Sequence, residues 1–468
     1  MNKFLKLAVI PVAFLIAGTT TSCSISPREI ALITDVGDID DGSFNQESWE
    51  AVKEFAIDNH KTYDFYRPFN DSDFARSCAI KQAVAKGAEI IVLPGFKFAG
   101  TCATEHKKYP NVKFLLIDSS IGQSSDHDDA PNVCCVGFKC EYSGFSAGYT
   151  VATDLMKRDW AADNKLRTQY GYGYCGGMPS KGVYEFGFGL IQGICQATAD
   201  FIKDHTSANK PLINIYYNYA KVFAQDDNAT AKMKGWLVSD KGIKVLFPCG
   251  GKLYQSATEA VQHYNKHQQL FDYNAWLKNP NMKAPRDAAR WIGVDSDQYN
   301  GLKFDYEKKT IYTSALKGLK TSIAKALELN YTDKWSYIGG GHPTDDTPVP
   351  TRGLYKEGQW ILGLNSIFGE YPDEATVEYG DYVGIPTEYD EETHIMRGFD
   401  NFTSDECETL RNRLTGKATP TINVYGKSGE EYGAPFGIPE NIVNWGDGSF
   451  RETYLGKYDA DKIEVIVQ

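Results

Sequence analysis

Eight residues carry most of the chemistry this sequence can offer: Asp35, Phe44, Asn45, Asp118, Phe186, Gly250, Asp295 and Lys317. Carboxylates accept hydrogen bonds, a lysine ammonium donates them, a carboxamide does both, and phenyl rings stack on flat molecules. No nucleophile stands beside a base in this set, so its chemistry is that of gripping a small polar molecule with a flat face. HExxH and GxxxxGK[ST] are missing from the chain, and its GxSxG match, Gly144-Phe145-Ser146-Ala147-Gly148, falls within the helix expected from about Tyr142 and forms no strand-to-helix elbow. Serine hydrolase, zinc protease and P-loop ATPase chemistry therefore have no support.

The elements that must position these residues follow from the patterning. Ile30–Thr34 reads as an apolar strand running into the acidic turn DVGDIDDG, and the turn opens a helix over Phe44–Asp58. Ser43 with Gln46 three residues on predicts a capping box at its start. Strands over Ile90–Leu93 and Val112–Ile117, the latter ending at Asp118, alternate with helices over Asp73–Lys86 and Gly100–Lys108. Val133–Phe138 and a helix from about Tyr142 to Lys157 follow. The pattern restarts with Gln169–Tyr174, a helix over 182–205, Ile213–Tyr217 and Val245–Phe247. Trp291–Val294 then leads to Asp295, and Thr310–Ala315 to Lys317. Strands alternating with helices make parallel sheets covered on both faces. Two such series predict an α/β protein of two lobes with its site in the cleft between them.

Each polar residue taken alone has an ordinary explanation: a strand-terminal Asp caps helices, and a Phe fills cores. Their recurrence at successive strand ends outweighs it, because ligands bind beyond the carboxyl ends of the strands in open α/β sheets. A nucleoside matches the set. Stacking on an aromatic contributes roughly 1–3 kcal/mol per base, and Phe44 and Phe186 could sandwich one. Asp295 with Lys317 makes a natural ribose clamp through charge-assisted hydrogen bonds, while Asn45 and Asp35 or Asp118 could read the base edge.

The 468-residue chain is 42% hydrophobic and 13% aromatic, enough for two cores. Its N-terminus has Lys3 and Lys6, an apolar run from Leu7 to Ala17, and small residues up to Cys23. That is a secretory signal, and the cysteine at its exit points to lipidation of Cys23. Without residues 1–22 the chain holds 47 basic and 61 acidic residues, a net charge of −14. Such a balance argues against nucleic acid as a partner. The other nine cysteines lack metal-ligand spacing and lie mostly in apolar segments, as buried inert thiols do. No metal or other cofactor is implied.

The segments LITDVGDIDDGSFNQESWEA, YPNVKFLLID, PNVCCVGFKCEYSGFSAGY, YGYCGGMPSKGVYEFGFGLIQG, WIGVDSDQY and YTSALKGL, in that order, resemble the basic membrane protein family of substrate-binding lipoproteins. The resemblance spans about residues 29–325. It implies a type I periplasmic-binding-protein fold, two Rossmann-like lobes joined by hinge crossovers, capturing purine nucleosides (adenosine, guanosine or inosine) for an ABC permease. It also implies base contacts at Asp35 and Asn45, stacking at Phe44 and Phe186, a further polar contact at Asp118 and a ribose pair at Asp295 and Lys317. Gly250-Gly251 matches a glycine-rich segment of the family, with Lys252-Leu253 in place of its glycine-containing continuation. The expected division is a signal over 1–22, a tether over 23–28, a first lobe over 29–145 and 310–345, and a second over 146–309 and 346–400. The extension 401–468 packs on the second lobe.

Two other classes compete. Asp35, Asp38, Asp40 and Asp41 resemble the aspartate cluster with which nucleoside hydrolases bind calcium, although Ile33 stands where that cluster needs an Asp. A solvated turn favouring the following helix N-terminus is the plainer explanation of Asp38, Asp40 and Asp41. The acidic, tyrosine-rich C-terminal extension would also suit a surface adhesin or signalling receptor on the same fold.

Overall fold

The computed structural model describes residues 27–35, 37–119, 121, 130–138, 140–279, 281–335, 338, 355–356, 359–360, 384–415 and 462–467. The secretory signal, Cys23 and the strand-like pieces Thr376–Val383 and Thr421–Tyr425 lie outside the described residues.

Two parallel sheets form the scaffold. In the first, β1 (Ile30–Ile33), β2 (Tyr63–Tyr66), β3 (Ile90–Pro94), β4 (Lys113–Ile117) and β5 (Val133–Val136) alternate with α1 (Phe44–Asp58), α2 (Asp73–Ala85) and α3 (Ala99–Lys108). The chain then enters α4 (Cys140–Asp163), β6 (Gln169–Gly176), α5 (Lys181–Asp204), β7 (Leu212–Tyr219), α6 (Asp227–Leu237), β8 (Ile243–Cys249) and α7 (Leu253–His267). A short helix α8 (Tyr273–Lys278) precedes β9 (Arg290–Asp295), α9 (Gln298–Gly301), α10 (Asp305–Thr310), β10 (Ile311–Leu316) and α11 (Leu319–Tyr331). Short strands β11 (Tyr355–Lys356) and β12 (Gln359–Trp360), the helix α12 (Ser404–Thr415) and β13 (Ile463–Val467) complete the described elements. The sheet orders are β11-β12-β5-β4-β3-β1-β2 and β10-β9-β8-β6-β7-β13. Strands β1, β3 and β9 are buried along their whole length, as strands covered on both faces must be.

The lobe boundaries differ from those expected. Helix α4 is unbroken from Cys140 and packs along α5, so the first crossing precedes Cys140 and does not fall at 145. β10 pairs with β9 in the second sheet, whereas α11 packs on α1 of the first lobe. The second crossing is therefore Lys317-Gly318, with Gly318 at φ +61°, and not residue 310. Strand β12 pairs with β5 through Trp360 and Val136, which puts 355–360 on the first lobe and not the second. At the far end, β13 runs parallel to β7 as the edge strand of the second sheet, a strand the sequence reading did not foresee.

Helices α4 and α5 touch backbone to backbone. A side chain at Gly144 would lie 2.1 Å from the Phe186 carbonyl oxygen, and one at Gly189 would lie 1.9 Å from that of Glu141. Glycines at these positions let α5 sit close enough to α4 to carry Phe186 to the inter-lobe cleft.

Candidate ligand-binding site

The turn before α1 is built differently from a capping box. Asp41 accepts from the Ser43, Asn45 and Gln46 backbone N–H groups at 2.9, 3.2 and 3.1 Å, taking over the N-terminus of the helix. The Gln46 half of the box is displaced as well: its Oε1 accepts from the Gly42 N–H, one residue before the N-cap, because the Ser43 N–H is held by Asp41. The Ser43 hydroxyl is diverted to the other lobe, where it donates to Asp295 Oδ2 at 2.9 Å. Asp41 is thus buried, not solvated as the turn was expected to be; burial raises its pKa against the pull of those N–H donors. Its neighbours diverge: Asp38 pairs with Arg67, and Asp40 with Lys252 of the second lobe at 3.1 Å. The carboxylates do not converge on one point, and no group of three or more potential metal ligands gathers among the described residues.

Lys317, where the chain leaves the second sheet, is the electrostatic centre. Its Nζ lies 2.8 Å from Asp118 Oδ2 of the first lobe and 3.3 Å from Asp295 Oδ1 of the second. Burial works against the ammonium. The carboxylates beside it outweigh that and hold its pKa well above the ordinary lysine value. Three phenyl faces surround the same nitrogen: Phe44 at 4.9 Å, Phe186 at 5.4 Å and Phe138 at 5.9 Å, all within cation–π reach. Asp118 and Asp295 both have left-handed backbones, φ +60° and +68°, at the ends of β4 and β9. Non-glycine residues adopt that conformation at a cost and cluster at ligand sites when they do.

All eight residues singled out from the sequence line one cavity of about 340 Å³ between the lobes, a size that suits a small ligand. Phe186 is 1% exposed and belongs to the hydrophobic core as well as to the cavity wall. In the same lining, the Asn45 amide donates to Asp35 Oδ1 at 3.0 Å and to Asp41 Oδ2 at 3.1 Å. Any side chain at Gly37 would meet that amide nitrogen at 2.3 Å. Asp118 proves to be the nearer partner of Lys317, which ties it to the acid–amine cluster and not to the Asp35–Asn45 end.

Phe223 is a lining residue that the sequence reading missed. It lies in the loop after β7, where no pattern marks it. The signal was in the glycines: a Cβ at Gly177, Gly250 or Gly251 would fall 2.3–2.6 Å from Phe223. Further contacts close the cleft, with Gln298 Nε2 and Ser296 Oγ donating to the Gly42 carbonyl at 3.0 and 3.3 Å.

Residues 29–336, which hold every lining residue named above, match the model of the Bmp family, described as ABC transporter substrate-binding protein PnrA-like. The chain belongs to the Bmp family. Among Bmp-like relatives, a CD4+ T-cell-stimulating antigen of Listeria monocytogenes is 25% identical over 278 residues, 58% of this chain and 63% of that protein. An ABC transporter nucleoside-binding protein of Lactococcus lactis is 23% identical over 272 residues, 57% of this chain and 64% of that protein. The chain thus spans a little under two thirds of the length of these curated relatives. A solved ABC transporter solute-binding protein from Conexibacter woesei superposes with a TM-score of 0.50 at 16% identity, over 85% of this chain and 98% of that one. Bmp proteins are solute-binding components of ABC transporters and not enzymes, and the fold is that of periplasmic binding proteins.

Proposed function

We propose that this Bmp-family chain is a lipid-anchored receptor on the outer face of a cell membrane that captures purine nucleosides and delivers them to an ABC importer. The observation that carries the reading is the composition of one cavity: phenyl rings at Phe44 and Phe186, an acceptor-rich end at Asp35 and Asn45, and an acid–amine cluster at Asp118, Asp295 and Lys317. A purine stacks between the rings, its edge meets Asp35 and Asn45, and the ribose hydroxyls meet Asp295 and Lys317. The Lactococcus relative, named for nucleoside binding, supports the same class of ligand. Ligand between the lobes would add to the contacts of Ser43, Gly42 and Asp118 with the second lobe, favouring the closed form that a permease senses. Lipidation of Cys23 rests on the N-terminal sequence; no helix among the described residues is long and apolar enough to cross a membrane.

The test is a thermal-shift panel of nucleosides followed by chromatography of the recovered ligand. A rise in melting temperature with purine nucleosides recovered intact supports the reading. Release of free base would make the protein a hydrolase, and no shift with any nucleoside would favour an adhesin or signalling receptor.

A further inference from the structure

The base end of the cavity has a directional hydrogen-bonding character that, given the nucleoside reading above, selects among purines. Both hydrogens of the Asn45 amide are committed, to Asp35 Oδ1 and Asp41 Oδ2. Asp41 is itself pinned by three backbone N–H groups. The carboxamide therefore cannot flip without setting its oxygen against two carboxylates. Asn45 Oδ1 is itself buried without a hydrogen-bond partner and does not open onto the cavity, so the acceptors a ligand meets at this end are those of Asp35. Asp35 Oδ1 accepts from the Gly37 N–H at 2.9 Å and from Asn45, and the carboxylate is only partly buried. Its Oδ2 lies over Gly95, where a side chain would approach to 3.2 Å. Asp35 thus offers oxygen lone pairs, and the Asn45 amide beside it has no N–H left for a ligand.

We infer that this acceptor-only end selects purines whose Watson–Crick edge donates, guanosine above inosine, and discriminates against adenosine. Guanine presents N1–H and the adjacent N2 amino group, which match the two oxygens of one carboxylate, Asp35. Hypoxanthine retains only N1–H. Adenine has an acceptor at N1, which would face a carboxylate, and donates only from N6. Leaving a buried acceptor unpaired is costly, and sites built to pair with a ligand donor reject analogues that lack it.

Calorimetric titration of the full-length protein with guanosine, inosine, adenosine and 1-methylguanosine tests this. Guanosine binds tightest, inosine about 10-fold weaker, and adenosine and 1-methylguanosine on the order of 100-fold weaker, the scale of losing a paired edge contact. Asp35→Asn, which supplies an N–H at this position, weakens guanosine and narrows or reverses its advantage over adenosine. Adenosine binding within threefold of guanosine, 1-methylguanosine binding as well as guanosine, or an unchanged ratio in the variant overturns the inference while leaving the nucleoside reading intact. No binding by any purine nucleoside overturns both.

Discussion

The Ser43 hydroxyl reaches across the cleft to Asp295 Oδ2 at 2.9 Å, although Ser43 occupies the position from which serines usually cap their own helix. Asp41 has taken over the capping, so the two residues divide tasks that one residue performs in most helices.

That division is separable by mutation. Ser43→Ala should leave the melting temperature of the ligand-free protein almost unchanged. It should weaken nucleoside binding about 10- to 100-fold, since a hydrogen bond to a charged group contributes about 1.5–3 kcal/mol. Asp41→Ala should instead destabilise the fold by at least about 1 kcal/mol, the scale of a lost cap. Denaturant melts and ligand titrations of both variants distinguish the roles. A Ser43→Ala protein as unstable as Asp41→Ala would return Ser43 to the helix.

Lys317→Met leaves Asp118 and Asp295 buried without their cation. Removing one partner of a buried ion pair costs about 3–5 kcal/mol. Binding should be lost and thermal stability lowered. Adding Asp118→Asn should recover part of the stability but not the binding, because it removes one uncompensated charge without restoring the ammonium.

Much of this site was legible because strand ends are easy to find. Uninterrupted apolar runs such as IALI and KFLLI locate β1 and β4, and Asp35 and Asp118, just beyond their ends, line the cleft. Other features depended on tertiary context. Whether β10 joins the first or second sheet is settled by its pairing with β9, and both sheets have the same apolar signature. The Ser43 spacing suits a capping box equally well, and only the position of Asp295 across the cleft diverts the hydroxyl. Phe223 lies in a loop, and its place is fixed by glycines from β6 and β8 that meet only in three dimensions.

Glu47, in the first turn of α1, has its pKa raised from 4.5 to about 7, chiefly by burial, with Lys320 pulling the other way and Glu50, Glu54 and Asp297 adding repulsion. The folded protein therefore keeps a proton that the unfolded chain has already released. Its contribution to stability is fully present below pH 4.5 and is lost as pH rises through about 7. Glu47→Gln should remove this slope, so that the variant gains stability relative to the wild type between pH 5 and 7.5. Parallel denaturation curves across that range check the sign; a wild type that gains on the variant would contradict it.

Asp35, Asp38, Asp41, Asp118 and Asp295 line the cavity against only Lys252 and Lys317. Lys317 is already shared between two carboxylates. Such a site repels anions, and guanosine 5′-monophosphate should bind at least about 100-fold more weakly than guanosine. Competition of the nucleotide against the bound nucleoside measures this directly.

The central claim is that one purine nucleoside fills the space between Phe44 and Phe186 with its ribose on Asp295 and Lys317. A crystal structure of the protein grown with guanosine tests it most directly. One molecule is expected in the cleft, the base stacked between the two rings with its N1 edge toward Asp35 and Asn45, and the ribose hydroxyls within about 3.2 Å of Asp295 and Lys317, a normal hydrogen-bond length. An empty cleft at saturating guanosine, or a nucleoside held elsewhere on the molecule, would contradict it.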